Sequence, residues 1–287
     1  MKVIKVSKQG FCNGVKRALD LVYKTIEENK NNKPIYILGE LMNNEFVSNK
    51  LDELGVITIK SYGMKRVEML ENIDDGIIIL TAHGVSPEVI KILEEKNLKY
   101  VDTTCPFIIK TKDIINSYLT NDYDVVYLGK DNHPESEGVI GINPKKIHLI
   151  TSYDDIDKLN ISNDKILITT QTTLRRDHLN IMLEYLMYKY PNSVFKDGVC
   201  NSAILRQEAL INEITGDLCL VVGDTISSNA NELAKIGSRY IPTYLINSID
   251  DIKKEWLIGV KVITLTSAAS TPDELTNSIY EYLINLD

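Results

Sequence analysis

Short apolar runs alternate with longer segments of helical periodicity along this chain. The runs are rich in β-branched residues and read PIYILGE, GIIILTA, DVVYLGK, KILITTQ, LCLVVGD and VKVITLT. Segments 13–30, 86–97, 175–190 and 272–286 show the helical period. Strands that alternate with helices build parallel sheets from βαβ units. The sequence therefore predicts the α/β fold class.

The predicted strands divide into groups around the cysteines. Four precede Cys105 and four more precede Cys200, near 34–39, 56–60, 76–81, 99–103, 124–128, 146–151, 165–169 and 193–196. Only three follow Cys200, near 218–222, 242–246 and 260–265. A leftover strand at 2–6 precedes Cys12, and we expect it to complete the third sheet.

Three cysteines recur at near-equal intervals. Cys105 follows Cys12 by 93 residues (105 − 12), and Cys200 follows Cys105 by 95 (200 − 105). Such spacing predicts three similar units, each carrying one cysteine. The predicted αβ domains are 13–104, 105–197 and 198–287, the last completed by residues 1–12.

These three cysteines also share a local context, in the strings GFCNGVKRALDL, DTTCPFIIKTKD and DGVCNSAILRQEA. Each ends a strand or loop and begins a helix, where the partial positive charge of the helix favours a thiolate. Three thiolates at strand ends could meet at one centre and hold zinc with a histidine, or an iron–sulfur cluster with one open iron. Spacing alone fits three unrelated turn residues equally well.

Cys219, inside LCLVVG, is expected to be a buried packing residue.

Composition excludes several classes of protein. The net charge is −8 without any basic tract, which argues against a nucleic-acid partner. The longest apolar runs are strand-sized, so no membrane span is predicted. The N-terminal MKVIKVSKQG lacks the apolar stretch of a signal peptide, so we expect a cytoplasmic location. There is no CxxC pair, and disulfides are not expected in a reducing compartment.

Polar side chains follow five of the predicted strands. They are His83, His133, Glu135, Thr172, Thr173, Ser227, Ser228, Asn229 and Ser270. Each alone is explained as a helix cap or a turn residue. Together with three thiolates they predict a site in which hydroxyls, an amide and His83 bind a diphosphate and Glu135 donates a proton.

The strings GFCNGV, AHGVS, DTTCP, HPESEG, TQTTL, RQEA, VVG…SSN and STPD occur in this order between residues 10 and 273. In these motifs the chain resembles the LytB/IspH family of 4-hydroxy-3-methylbut-2-enyl diphosphate reductases. The resemblance implies three αβ domains in a trefoil around a [4Fe–4S] cluster. It implies reductive removal of the substrate's hydroxyl group as water, giving isopentenyl and dimethylallyl diphosphates in the last step of the non-mevalonate isoprenoid pathway.

The resemblance also implies roles for particular residues. Cys12, Cys105 and Cys200 would ligate the cluster, and Glu135 would supply protons with Thr172 and His133 beside it. The diphosphate would be held by Asn43, His83, Thr173, Ser227, Ser228, Asn229 and Ser270. The electrons would come from a ferredoxin or a flavodoxin.

Four positions depart from the family pattern: Asn43, Ala203, Leu205 and Ala268 stand where the family usually has His, two polar residues and Gly. They fall on the diphosphate side and the pocket wall, whereas the cysteines and the Glu135 motif are intact. Two alternatives therefore remain. One is a paralogue with the same chemistry on another allylic or phosphorylated substrate, and the other is a non-catalytic iron–sulfur redox sensor.

Overall fold

The computed structural model describes residues 1–60 and 63–286 of the chain. These residues form two compact units. Unit 1 comprises residues 1–15, 43–47 and 200–286, and unit 2 comprises residues 16–42, 48–60 and 63–199.

Unit 1 contains one four-stranded parallel sheet, and unit 2 contains two. The strands of unit 1 are β1 (Lys2–Lys5), β10 (Leu218–Val222), β11 (Thr243–Ile246) and β12 (Val262–Ser267). The first sheet of unit 2 has β2 (Ile35–Leu38), β3 (Val56–Ile59), β4 (Ile77–Leu80) and β5 (Lys99–Asp102). The second has β6 (Asp124–Leu128), β7 (Ile147–Ile150), β8 (Ile166–Thr170) and β9 (Val194–Phe195).

The three sheets share one strand order. In unit 2 the orders are β3-β2-β4-β5 and β7-β6-β8-β9. In both sheets the second strand along the chain lies at one edge, next to the first strand. The third and fourth strands lie on the other side of the first strand. Unit 1 repeats this order as β11-β10-β12-β1, with the N-terminal strand in the fourth place. The register of that last pair runs from Lys2 opposite Val262 to Lys5 opposite Leu265.

Ten α-helices are assigned in the described residues, together with 3₁₀ turns at Glu68–Leu70, Ile249–Asp251 and Lys254–Leu257. The first five helices are α1 (Asn13–Glu28), α2 (Glu45–Glu53), α3 (Pro87–Glu95), α4 (Pro106–Thr120) and α5 (Pro134–Ile140). The others are α6 (Tyr153–Lys158), α7 (Arg176–Lys189), α8 (Asn201–Glu213), α9 (Ser228–Gly237) and α10 (Asp273–Ile284).

The central strands form the cores. Every residue of β4, β8 and β10 is buried, which is the pattern of parallel strands covered by helices on both faces. The edge strands β1 and β5 are only partly buried and carry lysines. Cys219, on β10, is completely buried, as expected for a packing cysteine.

The α/β fold class and the twelve strands are confirmed, and each observed strand lies within two residues of its predicted bounds. The leftover N-terminal strand does pair with the third group. The domain boundaries after residues 104 and 197 stay a prediction. None of the helices within residues 1–60 and 63–286 is both long and apolar enough to cross a membrane.

Candidate active site

The strand order gives each sheet one place where a site is expected. In open α/β sheets, ligands bind outside the carboxyl ends of the strands where the connections diverge, here between the first and third strand of each group. Asn43, His83, Glu135, Thr172 and the other predicted polar residues all follow such strands, namely β2, β4, β6, β8, β10 and β12. The cysteines instead follow the fourth strands β5, β9 and β1.

Cys12, Cys105 and Cys200 each stand immediately before the first residue of a helix, α1, α4 and α8 respectively. All three are partly exposed. The Cys200 sulfur accepts a hydrogen bond from the Ala203 amide at 3.4 Å, so one N–H group in the first turn of α8 faces a sulfur atom. Cys219 differs, because burial raises the pKa of its thiol to about 12 and keeps it protonated.

In unit 1, a buried guanidinium lies near two of these cysteines. Arg206 on α8 is 7% exposed, and burial lowers its pKa, while the negative charges of Cys12, Cys200 and Asp273 act in the opposite direction. Arg206 belongs to the string RQEA, to which the sequence analysis assigned no role. Its position in that string is the one signal that could have pointed to it.

In unit 2, Glu135 is almost completely buried and has three hydrogen-bond donors. The Thr172 amide and hydroxyl each lie 2.8 Å from one of its carboxylate oxygens. The Tyr127 hydroxyl donates at 3.1 Å. Burial raises the pKa of Glu135, against the opposing effect of these donors and of the positive charge of Lys112. The result is a carboxyl group that holds its proton more firmly than an exposed glutamate.

Two imidazoles lie beside this carboxyl group. His133 is the N-cap of α5, and its Nδ1 accepts a hydrogen bond from the Glu135 amide at 3.1 Å. The His83 ring meets the His133 ring edge-on, with 5.4 Å between centroids. Burial lowers the pKa of His133 to about 4 and that of His83 well below 6.5, so both rings are neutral at pH 7. Nδ1 of His83 is buried and has no hydrogen-bond partner among the described residues.

Two cationic side chains of this region were missed by the sequence analysis. The Lys112 amine donates to the Val85 carbonyl at 2.6 Å, and burial lowers its pKa to about 8. Arg66, 5% exposed, forms an ion pair with Glu137 at 2.6 Å. Lys112 lies in the string DTTCPFIIKTKD, but no pattern there indicates its partners, and Arg66 lies in none of the quoted strings. The folding of distant segments brings both side chains to Glu135 and His83.

Thr173 lies next to the Glu135 ligand Thr172. Its hydroxyl accepts a hydrogen bond from the Gln171 side-chain amide at 3.2 Å. The Gln171 carbonyl oxygen in turn accepts from the Lys130 amide at 2.9 Å, which ties the loop after β8 to the loop after β6.

The predicted diphosphate ligands of unit 1 lie together. The Ser270 hydroxyl donates to the Asn43 carbonyl at 3.2 Å and lies 3.4 Å from the Ser227 hydroxyl. Ser227 caps α9 by accepting from the Ala230 amide at 3.3 Å. Ser228 is buried, and Asn229 is 5% exposed with neither side-chain amide atom hydrogen-bonded in the described part of the chain. Buried polar atoms of this kind are available to a ligand.

The four departures occupy different surroundings. The Asn43 side-chain amide donates to the Ile226 carbonyl at 3.2 Å, within the unit 1 cluster. Ala203 and Ala268 are completely buried, and Ala268 packs against Gly223. Leu205 is 49% exposed on α8, so its side chain is not packed into unit 1.

Among residues 1–60 and 63–286, no three His, Cys, Asp or Glu side chains group closely enough to bind a single metal ion. An iron–sulfur cluster places a different requirement on its ligands. Each cysteine binds a separate iron atom, so the sulfur atoms need not converge on one point.

In each of the three parallel sheets, the fourth strand is followed by a cysteine and then by a helix. This repeated arrangement defines a class of α/β proteins. The model of the LytB protein family matches residues 3–284. The chain is 39% identical to the 4-hydroxy-3-methylbut-2-enyl diphosphate reductase of Bacillus pumilus, covering 100% of this chain and 92% of that protein. The Bacillus mycoides reductase is also 39% identical, at 100% and 91% coverage. The chain belongs to the LytB protein family.

Solved structures agree with this assignment. The E-1-hydroxy-2-methyl-but-2-enyl-4-diphosphate reductase of Plasmodium falciparum superposes with a TM-score of 0.92 at 33% identity, over 99% of this chain and 88% of that one. A structure of (E)-4-hydroxy-3-methyl-but-2-enyl diphosphate reductase, described as the terminal enzyme of the non-mevalonate pathway, gives 0.69 at 27% identity with full coverage of both chains.

Proposed function

We propose that this protein is a 4-hydroxy-3-methylbut-2-enyl diphosphate reductase, an oxidoreductase of the non-mevalonate isoprenoid pathway. The observation that carries the proposal is its 39% identity to reductases of this name over the whole chain. The buried Glu135 with its threonine partner supports it, because the reaction needs a proton donor shielded from water.

The cofactor of the proposed reaction is a [4Fe–4S] cluster held by Cys12, Cys105 and Cys200. Thiolates are the ligands that such clusters take, and these three are partly exposed at helix starts, whereas Cys219 is buried. Two of them lie near the Arg206 charge, as anionic ligands would require. When bound, the cluster would pass on the two electrons of the external donor one at a time and would act as a Lewis acid towards the substrate oxygen.

The protein's own part in the reaction is to deliver protons. Two electrons and two protons break the bond from carbon to the hydroxyl oxygen, release water and place one hydrogen on the allyl group. Burial raises the pKa of Glu135, which favours the protonated form that a proton donor needs. The Thr172 hydroxyl, 2.8 Å away, can accept from the acid or donate to the carboxylate, and so can pass the proton on.

Binding of the diphosphate rests mainly on uncharged donors. We assign it to Asn43, Ser227, Ser228, Asn229 and Ser270 of unit 1 and to His83 and Thr173 of unit 2. The unpartnered amide of Asn229 and Nδ1 of His83 are the atoms that gain most from a ligand, since each is buried without a hydrogen bond in the described residues. The His133 ring supports the Glu135 backbone.

A ferredoxin or flavodoxin is the proposed electron donor, and the cytoplasm is the proposed location. The three αβ domains with boundaries after residues 104 and 197 belong to the same proposal. The cluster and its cysteine ligands are tested before the electron donor, because the donor would reduce the substrate through the cluster.

The cluster is tested by iron and sulfide analysis of anaerobically purified protein. We expect about four irons per chain in the natural protein. Cys105→Ala should lose most of this iron, and Cys219→Ala should keep it as the matched control, because Cys219 is a buried thiol. Near-absence of iron in the natural protein, or equal iron in the two variants, would contradict the proposal.

The substrate is tested by turnover of 4-hydroxy-3-methylbut-2-enyl diphosphate with the reconstituted protein. Asn43 favours a second candidate, a paralogue acting on another allylic or phosphorylated alcohol, since an amide cannot carry the positive charge of a histidine. Turnover far below that of Asn43→His would support the paralogue. Full iron content with no turnover in either protein would support the redox sensor.

A further inference from the structure

Arg206 connects the chain segments that carry two cysteines of unit 1. One guanidinium nitrogen donates to the Gly10 carbonyl at 2.5 Å, two residues before Cys12. The other donates to the Ser202 carbonyl at 2.9 Å and also to the Ser202 hydroxyl, two residues after Cys200. A single rigid group therefore fixes the backbone beside both cysteines.

The segment before Cys12 is held on its other side as well. The Gly10 amide donates to the Ser267 hydroxyl at 2.9 Å, and the Cys12 amide donates to the Ala269 carbonyl at 3.2 Å. Gly10 has φ of +71°, and a Cβ there would lie 2.1 Å from the Asp273 carboxylate. These contacts attach the segment to the loop after β12, and Arg206 connects it to α8.

Arg206 is also more than a structural bridge. A buried guanidinium is costly unless its donors are satisfied, yet its Nε is buried with no hydrogen-bond partner in the described residues. The nearby charges are those of Cys12, Cys200 and Asp273. An unsatisfied N–H near the Cys12 and Cys200 side chains suits an acceptor that the chain itself does not provide, such as the sulfur of a bound cluster.

We propose that Arg206 is a positioning residue that holds Cys12 and Cys200 in the geometry that the cluster requires, and that its charge favours the reduced cluster. This inference rests on the proposed function. Hydrogen bonds to sulfur and local net charge both set the reduction potential of iron–sulfur clusters. Loss of the charge should therefore make reduction less favourable.

The first experiment measures the geometry without any metal. In a Cys105→Ser, Cys219→Ser background only Cys12 and Cys200 can react with a short bis-maleimide. We expect Arg206→Gln to slow cross-linking of the two thiols at least tenfold in the metal-free protein, with each thiol still alkylated by a single maleimide. Arg239→Gln, which removes an exposed arginine of the same unit, should cross-link at the parent rate. Equal cross-linking in all three would overturn the positioning role.

The second experiment uses the full-length reconstituted protein and compares iron content, electron paramagnetic resonance spectrum and midpoint potential. Arg206→Gln should shift the reduction equilibrium about tenfold towards the oxidised state, which is 59 mV for one electron. Arg206→Lys keeps the positive charge but loses the planar set of N–H donors. Its midpoint potential should therefore shift less than that of Arg206→Gln, while its electron paramagnetic resonance spectrum changes. An unchanged potential in Arg206→Gln would overturn the electrostatic role. Absence of a cluster in the natural protein would instead refute the proposed function, and circular dichroism identifies a variant that fails to fold.

Discussion

Glu135 and His133 belong to the same turn at the start of α5, and burial shifts their pKa values in opposite directions. It raises the pKa of the carboxyl group and lowers that of the imidazole to about 4. Both shifts favour the neutral form, because a charge is poorly solvated inside the protein. A carboxyl group with a raised pKa therefore lies beside a neutral ring that accepts a backbone hydrogen bond, which suits the proposed proton donor.

The lowered pKa of His133 predicts an acid-dependent loss of stability. A group whose pKa falls from 6.5 to about 4 on folding contributes stability above pH 6.5, and this is lost as the pH falls towards 4. The full effect is up to about 3 kcal/mol. His133→Asn, whose side chain also caps a helix but does not titrate, should show a smaller loss of unfolding free energy between pH 7 and pH 4.5 in urea titrations.

The natural protein must be compared with His133→Asn, because Glu135 changes the pH dependence of stability in the opposite direction to His133. Its raised pKa contributes stability at low pH that is lost as the pH rises. This contribution is common to both proteins and largely cancels in the difference. Parallel pH dependence of the natural protein and the variant would show that His133 is already charged or solvated in the folded state.

The charge of Lys112 leads to a second prediction, which concerns the pKa of Glu135. Its positive charge lowers the pKa of Glu135, against the larger effect of burial. Lys112→Met should raise the pKa of Glu135 further, so the alkaline limb of the kcat profile should move to higher pH. Lys110→Met, on the exposed side of the same helix, is the matched control and should leave the profile in place. An unmoved limb in Lys112→Met would mean that Glu135 does not feel this charge.

Among the secondary-structure elements, the loop after β4 and helix α5 are packed around the Lys112 amine. A Cβ on Gly84 would lie 3.0 Å from the amine nitrogen, and one on Gly138 would lie 3.3 Å from it. Side chains at these two positions would push the amine away from the Val85 carbonyl. The glycines of AHGVS and HPESEG thus leave room for a lysine that the motifs themselves do not contain.

Gly84→Ala should therefore destabilise the protein for two reasons, the positive φ and the crowding. Gly259 separates them, because its φ of +77° is close to the +74° of Gly84 but nothing lies within 4 Å of its Cβ position. Gly259→Ala should cost about 1–2 kcal/mol from the backbone alone. Gly84→Ala should cost more in urea denaturation, since Thr104 also lies 3.0 Å from the added carbon. Equal losses would mean that the neighbours move aside freely.

For the molecule as a whole, the N-terminal strand joins the two ends of the chain. The amides of Lys2 and Val6 donate to the Lys261 and Leu265 carbonyls at 3.0 and 2.9 Å. This pairing supplies the fourth strand of unit 1 and places Cys12 after it. The pairing joins residues about 260 positions apart, so it closes a loop that spans most of the chain.

A proline scan of this strand tests the pairing. The amides of Lys2 and Val6 face β12, so by the alternation of a strand the Ile4 amide also faces β12, whereas the Lys5 amide faces away. Ile4→Pro removes a ladder hydrogen bond and should lower the unfolding free energy by at least about 1 kcal/mol more than Lys5→Pro. The thermal unfolding midpoint measures the difference. A larger loss for Lys5→Pro would indicate a different register.

The strands, the principal helices and the repeat of the cysteines could be predicted from the sequence, since hydrophobic period and turn residues are local properties. The sequence also placed Glu135 and Thr172 at strand ends and identified the family. The charges that lie beside these groups could be found only from the folded chain. Arg206 meets Gly10 across 196 residues and Lys112 meets Val85 across 27. No local pattern encodes such contacts, because the packing of distant segments selects the burial and the partner of each charge.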